Sequence, residues 1–133
     1  MSRHIKFCLL LLLLISFNQL AYASAEIMPN NRQIYIFISS SMPVRSIQQW
    51  LQQAKQAHAT VVLRGLIHDS FAETTRWIIS LQSSDAAGIE IDPTLFQRFH
   101  ITQVPTVVIV KDNDFVKIAG DIPLMQALAF AKR

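Results

Sequence analysis

The side chains with which this 133-residue chain could do covalent or metal chemistry are few: one cysteine, four histidines and the run Ser39-Ser40-Ser41. Thiol exchange needs a thiolate, and the sole cysteine, Cys8, lies in an apolar stretch near the N-terminus. His58, His68 and His100 stand singly, with no second ligand at the helical or loop spacing that a zinc site uses, so no metal is expected. Ser41, His68 and Asp69 could be imagined as a hydrolase triad. There is no Gly-x-Ser-x-Gly elbow, however, and a histidine and an aspartate adjacent in sequence are poorly placed as base and orienter. The three glycines, Gly65, Gly88 and Gly120, form neither a phosphate loop nor a dinucleotide fingerprint. The expectation from these residues is a protein that is not an enzyme and carries no cofactor.

The N-terminal residues read as a targeting segment. Arg3, His4 and Lys6 precede an apolar run from Phe7 to Phe17, and small residues follow at Ala21, Ala23, Ser24 and Ala25. A basic, an apolar and a small-residue region in that order is a secretory signal peptide over 1–25, with cleavage after Ala23 or Ala25. The run is 11 residues, whereas a spanning helix needs about 20, so no stable membrane span is expected after cleavage. From Glu26 onward ten Lys and Arg face nine Asp and Glu, a formal charge of +1. That balance, without a basic cluster, leaves no footprint for nucleic acid. Export also removes Cys8, so a domain bound for an oxidising compartment would hold neither a disulfide nor a redox thiol.

Residues 26–32 read as a short flexible lead-in, and 33–133 as one domain. Ile34 to Ile38 is a continuous β-branched and aromatic run, the pattern of a central strand covered on both faces. Ser41 is the expected N-cap of a helix with Pro43 in its first turn and Val44, Ile47, Leu51 and Ala54 on its apolar stripe, which His58 continues. Thr60–Leu63 forms a second strand. Ser70 and Glu73 have capping-box spacing and open a helix through Phe71, Thr75, Ile78 and Leu81, with Gly88 at a left-handed turn position after it. Ile89–Ile91 is a short strand, and Asp92-Pro93 caps a short helix through Leu95, Phe96 and Phe99. Two β runs joined by Lys111-Asp112-Asn113-Asp114 form a hairpin, and Leu124, Ala127, Leu128 and Ala131 supply one face of a last helix. The order β-α-β-α-β-α-β-β-α is an α/β, three-layer sandwich with a mixed sheet.

This order, ending in Val104-Pro105-Thr106, a hairpin, Gly120 and a helix, resembles the thioredoxin fold. Placing Pro43 on the proline of that fold's Cys-x-Pro-Cys motif puts Ser41 and Val44 where the cysteines would be. Over the whole domain the closer resemblance is to the TrbC family. It is carried by Ser-Met-Pro opening the first helix, Val62-Leu63-Arg64-Gly65-Leu66, Asp69-Ser70-Phe71, Ile91-Asp92-Pro93 with Leu95-Phe96, Val104-Pro105-Thr106, and Gly120-Asp121 with Leu124 and Ala127-Leu128. The resemblance implies a periplasmic, non-catalytic assembly factor for an F-type conjugative pilus and type IV secretion apparatus. It would act by docking other transfer proteins, TraW-like ones first and TraU-like ones second. The alternative is a periplasmic thioredoxin-like chaperone that binds extended or unfolded peptides without redox activity.

The resemblance further implies a cis Val104–Pro105 bond, leaving backbone groups of Val104 beside the Ser41 turn and open to an extended partner segment. The expected partner-binding surface is therefore Ser41, Met42 and Pro43, opposite Val104, Pro105 and Thr106, with Arg64 at the end of the second strand. Blander roles stand beside these. The serines can simply cap a helix, and Met42 can fold back as a staple. Arg64 can pair with Asp69 or Asp92 or reach water, and Trp50 and Trp77 fit core or interface packing.

Overall fold

The computed structural model describes residues 32–81 and 86–132. Its elements are β1 (Arg32–Ile38), α1 (Val44–Gln56), β2 (Thr60–Leu63), a 3-10 turn (Ile67–Asp69), α2 (Phe71–Leu81), β3 (Ile89–Ile91), α3 (Pro93–Arg98), β4 (Thr106–Lys111), β5 (Asp114–Ala119) and α4 (Leu124–Phe130). The expected signal segment over 1–25 and positions 26–31 of the lead-in lie outside the described residues. Arg32, the last residue assigned to that lead-in, is instead the first of β1 and faces Lys111.

The five strands form one sheet in the order β3-β2-β1-β4-β5. β1, β2 and β3 run parallel, and β4 and β5 are antiparallel to their neighbours. The parallel pairs need crossover connections, which α1 and α2 supply. β1 lies in the middle, and its alternation explains the unbroken apolar run. Ile36 and Ile38 face a core with Val61, Leu63, Val107 and Ile109, covered by Ile47, Trp50 and Leu51 of α1 and by Leu124 and Ala127 of α4. Phe37 points the other way, with Val62 and Val108, under Phe96, Phe99 and Ile101. Three layers result, as the pattern of runs predicts.

The second core is small and aromatic. The rings of Phe37 and Phe96 meet edge to face at 4.8 Å, and Phe99 meets Phe115 in the same manner at 5.1 Å. Such pairs contribute about 0.5–1.5 kcal/mol each beyond burial. They hold α3, whose six residues are far too few for an isolated helix.

The helix ends depart from the expected pattern in instructive ways. α1 has Pro43 at its N-cap and no side-chain cap. A proline disfavours helical backbone in the residue before it, so Met42 cannot open a helix capped by Ser41. Instead Met42 N–H donates to Ser39 O at 3.1 Å in a turn, and the Ser39 and Ser41 hydroxyls bond each other at 2.9 Å. Val44, 54% exposed, stays off the buried α1 stripe. His58 does not continue that stripe. It sits at φ 52° just past the helix, with Ala59 N–H donating to Ala54 O at 2.8 Å and His58 N–H to Lys55 O. That pair of bonds is a Schellman ending. α3 repeats it with His100 at φ 50° and Ile101 N–H on Phe96 O at 2.9 Å.

At α2 the capping box is half formed. Ser70 Oγ accepts from Glu73 N–H at 3.2 Å, but Ser70 N–H donates to Ile67 O and the Glu73 carboxylate pairs with His68 Nδ1 at 2.9 Å. Buried Thr74 completes the turn, accepting from Ile67 N–H and donating to Ser70 O, both at 2.8 Å. Phe71 is 73% exposed rather than part of the apolar face. Gly88 is not left-handed. Gly120 is, at φ 119°, where the chain leaves β5 and Gly120 N–H donates to Pro105 O at 2.9 Å.

α4 also begins at a proline N-cap, Pro123, with no local side-chain cap. Its first donor, Leu124 N–H, is met by Gln53 Oε1 of α1 at 2.7 Å. Gln53→Ala is therefore expected to lower unfolding free energy by about 1 kcal/mol, the usual value of a helix cap. Gln53→Glu, which keeps an acceptor at that helix N-terminus, should retain most of it, as read by urea denaturation of the two variants.

Candidate functional site

The parallel strands β1 and β2 end side by side, and a cleft of about 420 Å³ opens beyond them. Ser39 and Ser40 follow β1, Arg64 and Leu66 follow β2, and Gln103 and Val104 come from the loop before β4. Clefts of this kind form where parallel strands end and the connections diverge. A second, largely apolar cleft of about 480 Å³ adjoins it. Arg64, Phe96 and Thr102 line both, so Arg64 stands at their boundary.

The loop before β4 is held from several sides. The Val104–Pro105 bond is cis, as the resemblance implied. Thr106 Oγ1 donates to Gln103 O at 2.7 Å, and Gly120 N–H closes on Pro105 O. Among the described residues neither the N–H nor the C=O of Val104 has a hydrogen-bond partner within the chain. Val104 lines the cleft and is half-buried, so its unpaired donor and acceptor are left for water or an extended chain to take.

Arg64 does not pair with Asp69 or Asp92, the carboxylates expected for it. Its Nη2 donates to Ile101 O at 2.9 Å, and its guanidinium lies over the Phe96 ring, 4.9 Å from the centroid. Asp92 is occupied as the α3 cap. Its Oδ1 accepts from Thr94 N–H at 2.7 Å, Thr94 Oγ1 at 2.6 Å and Leu95 N–H at 3.2 Å. The Thr94 hydroxyl has the largest effect; desolvation opposes it, and the Leu95 and Thr94 amides add to it, so that the carboxyl lies below its ordinary 3.8. Asp69 is exposed in the left-handed region at φ 54°.

Of the expected surface residues, the structure brings Arg64 and Val104 into one cleft. Ser41, Met42, Pro43, Pro105 and Thr106 lie outside its lining. Ser41 and Pro43 are exposed, Met42 packs against the core below α1, and Thr106 is 2% exposed and shapes the loop. Ser39, Ser40, Leu66, Phe96 and Gln103 were missed. The signal that could have found the first three is positional: they follow directly on the ends of the two buried β runs.

A five-stranded mixed sheet between helices, with a cis proline leading into β4, defines a thioredoxin-like domain. The structure is similar to the reduced N-terminal domain of PilB from N. meningitidis, with a TM-score of 0.58 at 20% identity, covering 79% of this chain and 81% of that one. StoA from Bacillus subtilis gives 0.54 at 17% identity over 77% of this chain and 83% of that one. At this identity the likeness extends to the fold.

Within that class the family is specific. Residues 36–130 match the type-F conjugative transfer system pilin assembly proteins, the F-type TrbC family, and the chain belongs to that family. Over 107 residues it is 30% identical to the periplasmic protein TrbC of Escherichia coli strain K12, covering 80% of this chain. The chain spans 50% of the length of that relative. Among the described residues no helix is long and apolar enough to cross a membrane.

The lowered Asp92 carboxyl sets the sign of a pH effect. Its stabilising contribution is present above 3.8, the unfolded value, and is lost as pH falls through the lower folded value. Asp92→Asn is expected to be less stable than the parent at neutral pH, with the gap narrowing in strong acid. Denaturant midpoints measured across that range check it, and a pH-independent gap would refute it.

Proposed function

We propose that this protein is exported to the periplasm with residues 1–25 removed as a signal peptide, and that it serves pilin assembly by docking other transfer proteins. The cleft at the ends of β1 and β2 is its docking surface, and no thiol step is involved. One observation carries this reading: the donor and acceptor of Val104, a residue of the cleft lining, have no partner among the described residues, while Ser41 and Val44 occupy the positions matched to the redox cysteines. A serine hydroxyl without an adjacent base is a poor nucleophile. An open strand-like backbone, by contrast, can take a partner segment by strand addition. The family's role in pilin assembly and the periplasmic relative supply the setting.

TraW-like proteins are the first partners to seek and TraU-like proteins the second. Affinity capture of the tagged full chain from the periplasm should return one partner at fixed stoichiometry. A heterogeneous pool of unfolded proteins would favour a peptide-binding chaperone instead. Deletion of the gene should abolish pilus formation and DNA transfer. Restoration by a Cys8→Ser chain should match restoration by the parent, because Cys8 is the sole thiol in the sequence. Loss of complementation with Cys8→Ser, despite normal export, would overturn the thiol-free reading.

A further inference from the structure

We infer that the cleft is selective for an extended segment that carries a carboxylate, an aspartate or glutamate side chain set against Arg64. The inference deepens the docking reading above and rests on it.

Three features lead there. First, Arg64 is the only charged residue among the described residues lining the cleft; the others are serine, threonine, glutamine, glycine and apolar side chains. A lone cation flanked by neutral walls focuses its field on whatever enters. Secondly, the guanidinium is already held in place. The Ile101 carbonyl takes one N–H at 2.9 Å and the Phe96 ring covers one face, so pairing with a ligand loses less side-chain freedom than a free arginine would. Among the described residues no carboxylate forms an ion pair with it, although the side chain is exposed. A guanidinium carries several N–H donors in a planar fork that matches a carboxylate, and the bond to Ile101 uses one.

Thirdly, the same cleft wall presents the unpaired N–H and C=O of Val104. A donor and an acceptor on one residue match the pairing of an antiparallel strand. Main-chain pairing at Val104 would give sequence-independent affinity, and Arg64 would choose among the segments that pair. The neighbouring apolar cleft, which shares Phe96 and Arg64, offers room for an apolar side chain beside the acidic one.

The test is selection of random decapeptides displayed on phage against the folded, signal-free chain, followed by binding measurements on the selected peptides. The expected result is enrichment of Asp or Glu at one position. Changing that residue to its amide should weaken the Kd about tenfold or more, the scale of a lost charge-assisted hydrogen bond. Arg64→Gln should remove the preference, so that the acid and amide peptides bind the variant alike. If Arg64→Gln fails to fold, the acid-to-amide change on the peptide gives the same readout on the unaltered protein. Peptides that shift the amide resonances of Ser39, Ser40 and Val104 but bind equally as acid or amide would overturn the carboxylate inference and leave the docking cleft standing. Selected peptides that shift none of these resonances, or a selection that yields no binder, would overturn both.

Discussion

β1 is paired along both edges and buried on both faces, and the rest of the domain depends on that constraint. Its partners run from Tyr35↔Thr60 to Ile38↔Leu63 on one side and from Arg32↔Lys111 to Phe37↔Thr106 on the other. Side chains alternate across a strand, so a slip of one residue would exchange Ile36 and Ile38 with Phe37 between the two cores. The two cores differ in shape, one large and aliphatic with Trp50 and one small and aromatic, so the exchange would leave both badly packed. The register is therefore strongly specified. That register brings Ile38 level with Leu63, and so sets Ser39 and Ser40 beside Arg64.

The small aromatic core connects packing to the cleft. Phe96 is 5% exposed, fills the space against Phe37, and offers its ring to Arg64. Ile101 is buried through its side chain while its carbonyl accepts from Arg64. The Schellman ending at His100 turns the chain so that both happen at once. Nearby, the Lys117 ammonium donates to the Phe99 and His100 carbonyls at 3.2 and 3.0 Å, which favours the C-terminal end of α3 as a cation there should. Stability and site geometry are thus served by the same few residues, with no separate scaffold for the cleft.

The start of α1 limits the chemistry open to this domain. There Ser41, Met42, Pro43 and Val44 form a turn tied by serine hydroxyls. Such a turn can shape a surface, but it cannot form the mixed disulfide on which exchange depends.

Much of the architecture was legible in the residues alone. The unbroken run Ile34–Ile38, the turn at Asp112-Asn113, the Asp92-Pro93 cap and the element order all follow from local periodicity and cap chemistry, because these depend on neighbours in sequence. The site was legible only in part. Arg64 and Val104 could be singled out, but Ser39, Ser40, Phe96 and Gln103 join them only because the sheet register and the α3 turn bring distant segments together. Sequence patterns could not decide which acceptor Arg64 would find either. Asp92 looked suitable, but it caps α3 through Oδ1, and Arg64 instead meets the carbonyl of Ile101, 37 residues away. Local chemistry determined which strands and helices this chain makes. The tertiary structure decided which side chains share a cleft, because hydrogen-bond partners and burial are settled by packing between elements.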